Sequence, residues 1–97
     1  MNKKYNIIDT NFILRYLLAD NQEQYQIAKT FFQSVKSGKT RAYLEQAVIM
    51  EVIFVLSSYY KVPRDRIVNV LNNFLRYKGL VINEKEIIIK ALEIYIT

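Results

Sequence analysis

Two rhythms of apolar residues alternate along the chain: short runs with strand character, and longer stretches with helical spacing. Residues 5–8, Tyr-Asn-Ile-Ile, form the first run, and Asp9 ends it. Helical spacing follows at once in Phe12, Ile13, Tyr16 and Leu17, with Thr10 or Asn11 placed to cap it. A second helix is predicted over 21–37. Asp20 and Glu23 stand as a capping-box pair, Ile27, Ala28, Phe31, Phe32 and Val35 share a face, and Gly38 follows the last turn. Residues 41–44 read as a second short strand. The run from Ala47 to about Tyr59 is too long for a strand and apolar nearly all round, which predicts a buried helix. Pro63 opens an amphipathic helix with Ile67, Val68, Leu71, Phe74 and Leu75 on one face, and Gly79 follows its end. Residues 80–82 read as a third strand. Asn83 and Glu86 begin a last helix with Ile87, Ile88, Ala91, Leu92 and Tyr95 inward.

The predicted order is β-α-α-β-α-α-β-α. Strands separated by helices imply a parallel sheet with helices on its faces, so the expected class is α/β, in a single domain over 1–97. The sequence carries no internal repeat, low-complexity tract or linker. It stops on an apolar stretch, Ala91 to Ile96, where another strand would ordinarily follow in such a domain.

Composition narrows the chemistry. The 97 residues contain no Cys and no His, which excludes thiol nucleophiles, Ser-His pairs and imidazole-ligated metals. A metal here must be a hard cation held by oxygen, and acid–base work falls to carboxylates, Lys or Tyr. The net charge of +5, from 14 basic and 9 acidic residues, suits a polyanionic partner but is also common among proteins that bind none. Lys3 and Lys4 precede an apolar stretch, yet Asp9 and Arg15 interrupt it and no small-residue cleavage site follows. The expectation is a cytoplasmic chain without targeting or membrane segments.

Two acids stand out. Asp9 falls at the carboxyl end of the first strand, the edge where open α/β sheets bind ligands; it also stands where a helix cap would. Glu51 lies in an otherwise apolar run, and burying an unpaired carboxylate is costly. Its compensation is an internal salt bridge, a solvent-facing sliver of helix, or a metal ion. Together the two carboxylates have the chemistry to hold Mg²⁺ or Mn²⁺ with several waters left in place. Asp20, Glu23, Asp65, Glu84, Glu86 and Glu93 sit mostly at helix starts or on polar faces and read as caps and solvated charges. Arg15, Lys61 and Arg64 are candidate phosphate contacts. Tyr59 and Tyr60 have the chemistry to stack on bases, or to pack at a helix end.

The opening YNIIDTNFILRYLL resembles the first strand and helix of PIN domains, especially the VapC-type toxins of toxin–antitoxin pairs. RAYLEQAVIMEVIFVLSSYYKVPRD is similar to the family's second strand and Glu-bearing helix, and GLVINEKEIIIKALEIY to its third strand and following helix. The resemblance implies a three-layer α/β/α PIN-like fold and a metal-dependent endoribonuclease. Asp9 and Glu51 would be its catalytic and metal-binding acids, Thr10 and Asn11 its supporting polar residues, and Mg²⁺ or Mn²⁺ its cofactor. RNA would be the substrate, with a cognate antitoxin, and a homodimeric partner or another chain covering the exposed sheet edge, as further expectations. The family's remaining acids and last two strands would fall after the helix that ends this sequence. The expectation is therefore a C-terminally truncated domain with an apolar edge at residues 5–8 and weak or no activity. A non-catalytic RNA- or antitoxin-binding module is the alternative.

Overall fold

The computed structural model describes residues 6–96, which leaves Lys3, Lys4 and Tyr5 outside the described residues. The elements are β1 (Asn6–Ile7), α1 (Thr10–Leu18), α2 (Gln22–Ser37), β2 (Ala42–Tyr43), α3 (Gln46–Phe54), α4 (Arg64–Phe74), β3 (Leu80–Val81) and α5 (Lys85–Ile96). The class is α/β. Every pairing is parallel: β1 lies beside β2 and β2 beside β3, with Ile7 level with Tyr43 and Tyr43 level with Val81. The strands are short, and bonds just outside them extend the ladder, from Ile8 N–H to the Tyr43 carbonyl (3.2 Å) and from Leu44 N–H to that of Val81 (2.9 Å).

The helix boundaries follow capping chemistry. Asp9, at φ −104° and ψ 170°, caps α1 by accepting from Phe12 N–H at 2.9 Å, so of the three cap candidates Asp9, Thr10 and Asn11 the strand-end acid takes the position. Asn21, one residue after the expected Asp20, caps α2 by accepting from Gln24 N–H at 2.9 Å. Gly38 closes α2 at φ 90°, where a side chain would be strained. Gly79 has a different role from the helix stop expected of it. A Cβ there would stand 2.0 Å from the Thr40 carbonyl oxygen and 2.9 Å from that of Val35, so β3 approaches the end of α2 more closely than any side chain permits. Gly79 N–H donates to that Val35 carbonyl at 2.8 Å.

The core joins Ile8, Ile13, Ala28, Phe32, Val35 and Leu44 to Val52, Leu56, Ile67, Leu71, Phe74 and Leu92. Two expectations are corrected. On α2, Ile27 faces solvent while Ala28, Phe32 and Val35 are buried. On α5, Ile89 and Leu92 are the buried residues, whereas Ile87 and Ala91 are exposed. In both helices the apolar stripe is wider than the face the neighbours cover, so sequence spacing alone leaves the contact line undetermined by about one residue. Among the described residues no helix is long and apolar enough to cross a membrane.

Candidate functional site

The parallel register fixes the setting. Residues two beyond each strand pair come level, so Asp9, Glu45 and Asn83 stand along the carboxyl edge of the sheet. Asp9 opens α1, and α1 packs on α3, which carries Glu51 one turn and more from its start. The two acids therefore face one cleft of about 390 Å³, lined also by Thr10, Asn11, Leu14, Arg15, Val55, Tyr59 and Tyr60.

Within the cleft the Thr10 hydroxyl donates to Glu51 Oε1 at 2.6 Å. This bond ties the strand-end segment to α3 and holds one Glu51 oxygen in place. Asp9 Oδ1 is committed to Phe12 N–H. Its second oxygen has no hydrogen-bond partner among the described residues and is free for another ligand. The cap and the site are thus compatible, since a carboxylate has lone pairs for both.

Glu51 is exposed, which selects the solvent-facing sliver among the alternatives left open for it and corrects the expectation of a helix buried nearly all round. The helix around it is not buried all round: Met50 is 65% and Phe54 67% exposed on α3. The energetic argument that Glu51 requires a compensating metal because it is buried therefore falls. What singles Glu51 out is the company it keeps in the cleft.

The chain beyond α3 changes pitch. Residues Val55–Tyr59 form a π turn, marked by Tyr60 N–H donating to the Val55 carbonyl at 3.1 Å. Val62 N–H then donates to the Leu56 carbonyl at 2.9 Å, and Lys61 closes the element at φ 55°. Val55 and Tyr59 lie four and eight residues after Glu51, the spacing that shares a helix face, and the wider turn brings Tyr60, which a continuous α-helix would carry to the opposite side, to the same cleft. Tyr59 is 76% and Tyr60 41% exposed, and their rings meet edge to face at 4.9 Å between centroids. Helical periodicity places Tyr59 on the face of Glu51 but not Tyr60, because a π turn leaves no signature in apolar spacing.

The three expected phosphate contacts separate. Arg15 lines this cleft and an adjoining one beside β1, lined by Ile7, Ile8, Asp9, Phe12 and Ile27. Lys61 lies against Leu17, Leu18 and Pro63 in a neighbouring depression. Arg64 stacks over the Tyr95 ring at 4.9 Å and donates to the Tyr95 carbonyl at 3.3 Å, tying α4 to α5. Glu45 and Glu84 line a separate cleft on the sheet edge with Tyr43 and Asn83. Among the described residues no three acids converge as a metal-holding group. The Asp9–Glu51 pair offers oxygen donors of the type Mg²⁺ and Mn²⁺ accept, two carboxylates on rigid elements with room left for water. Compared with known proteins, the chain matches no family model, no curated protein and no solved structure.

Proposed function

We propose that the chain is a PIN-like, VapC-type ribonuclease domain with a three-layer α/β/α arrangement, whose Asp9 and Glu51 hold Mg²⁺ or Mn²⁺ beside an RNA phosphodiester. The observation that carries this reading is the convergence of a strand-end Asp and an α3 Glu in one cleft, joined by the Thr10 hydroxyl.

The second Asp9 oxygen and the Glu51 carboxylate would hold the cation. Thr10 orients Glu51, and Asn11 adds a polar group to the wall. Once bound, such a cation supplies hydroxide at neutral pH and neutralises charge on the phosphate. Arg15, on the same wall, offsets further phosphate charge. Two carboxylates bind a divalent cation less firmly than a fuller set, so cleavage by this chain is slow.

Calorimetric titration with Mn²⁺ tests the reading. Asp9→Asn and Glu51→Gln should each weaken binding by more than the roughly tenfold that loss of an outer-shell partner costs. Slow Mn²⁺-dependent cleavage of structured RNA should disappear in both variants. Identical Mn²⁺ isotherms for the variants and the parent chain would sink it. In that event the module reading, RNA or antitoxin binding without catalysis, gains from the net charge of +5 and from the small number of acids in the cleft.

A further inference from the structure

We infer that Tyr59 is a stacking platform for an unpaired nucleobase, so that the Asp9–Glu51 cleft takes single-stranded RNA, and that Tyr60 buttresses it. This rests on the nuclease reading for the choice of polymer, but on separate residues.

Tyr59 leaves 76% of its surface in solvent although it stands in a well-defined turn. Its ring does not join the hydrophobic core, so packing does not account for its position. The edge-to-face contact with Tyr60 braces the pair, with centroids at 4.9 Å and planes at 82°. An edge-to-face pair leaves ring surface free, which is what a base requires. The π turn is the device that unites the pair: Tyr59 shares the Glu51 face by helical spacing, and the residue that the Tyr60–Val55 bond inserts brings Tyr60 to the same cleft beside it.

The lining of the cleft selects the occupant. It is lined by Asp9, Thr10, Asn11 and Glu51, and Arg15 is the only cation among the described residues that line it. A protein hot spot sets an aromatic anchor in an apolar, desolvated pocket. Here two aromatic rings line the same cleft as polar groups, an arrangement that fits a flat base beside a charged, hydrated backbone. Duplex RNA hides its base faces in the stack and has nothing to offer Tyr59.

The test measures binding of a fluorescent single-stranded RNA oligomer of mixed sequence, and of its duplex, by anisotropy, first in EDTA and then in Mn²⁺. Circular dichroism verifies that each variant is folded. The single strand should bind more tightly than the duplex. Tyr59→Ala should weaken single-strand binding about tenfold, the effect of losing one stacked base, and leave duplex binding unchanged. Tyr59→Phe should stay within about twofold and Tyr59→Trp should match or exceed the parent, since stacking needs the ring and not the hydroxyl. The inference is overturned if Tyr59→Ala binds like the parent, if Tyr59→Phe loses as much as Tyr59→Ala, or if the parent binds no single strand. The two readings fail separately. Tyr59-dependent binding in EDTA with no Mn²⁺ site keeps the stacking platform and removes the nuclease. A Mn²⁺ site dependent on Asp9 and Glu51, with RNA affinity indifferent to Tyr59, does the reverse.

Discussion

The aromatic cluster that joins α1, α2 and the end of α4 differs in kind from the groove between α3 and α5. In the cluster, Phe32 meets Phe12, Tyr16, Phe31 and Phe74 at centroid distances of 4.6–5.4 Å. Tyr16 and Tyr77 share a hydroxyl–hydroxyl bond of 2.6 Å. The groove, of about 330 Å³, is lined by Ile49, Met50, Ile53, Ile88, Leu92 and Tyr95. Met50, Phe54, Ile87 and Ile94 are exposed on the same two helices. The contrast bears on the candidate site. Asp9 and Thr10 open α1, which the rings hold on its inner face. Glu51 belongs to α3, whose other side borders the groove. One carboxylate is therefore anchored in dense packing, and the other depends on a less confined helix and on its bond from Thr10.

The largest effect should come where the tight half admits no extra atom. Gly79→Ala forces a methyl into the Thr40 and Val35 carbonyls, both backbone. A loss of about 3 kcal/mol or more in urea unfolding is expected. A loss under about 1 kcal/mol would mean that β3 can withdraw from α2 at little cost.

A direct comparison comes next. Phe32→Ala should destabilise by about 3–5 kcal/mol, because Phe32 is fully buried among rings. Met50→Ala in the groove should change stability by no more than about 0.5 kcal/mol. Equal losses would erase the distinction between the two regions.

The smallest effect is also the most specific. Burial, followed by the hydrogen bond to Tyr77, pushes the Tyr16 hydroxyl well above its ordinary value of about 10. Above that pH the unfolded chain releases the Tyr16 proton while the folded chain keeps it. The folded state then binds more protons, so stability falls as pH rises. Tyr16→Phe should cost about 1 kcal/mol at neutral pH and flatten the alkaline decline. An unchanged alkaline slope would place the titrating group elsewhere.

Much of this architecture was legible in the sequence, and the reasons for the exceptions are physical. Each strand and helix falls where apolar rhythm and turn residues put it, because those signals are local. Gly79 was misread because a close approach between β3 and α2 is a tertiary fact with no local mark. The pairing of Asp9 and Glu51 in one cleft follows from a strand-end acid and a helix acid in a parallel α/β chain. The exposure of Glu51 was one of several alternatives that the sequence left open, because an apolar run says which residues prefer burial and not which face has a neighbour. Tyr60 joins Tyr59 in the cleft through a π turn, and the identity of Val-Leu-Ser-Ser-Tyr does not announce one.

The Tyr16–Tyr77 pair also determines how this protein can be watched. The chain has no Trp and 8 Tyr, so its near-ultraviolet signal comes from phenols and phenyl rings. Tyr16, Tyr25 and Tyr77 stand with four Phe rings on the α1–α2–α4 side, Tyr59 and Tyr60 pair beyond α3, and Tyr95 is the one phenol among the described residues that line the groove. A spectroscopic melt followed through tyrosine would report loss of the ring cluster and be nearly blind to α5 lifting from α3. Agreement between such a melt and far-ultraviolet helix loss would show the two halves unfolding together; an earlier helix signal would reveal the groove side opening first.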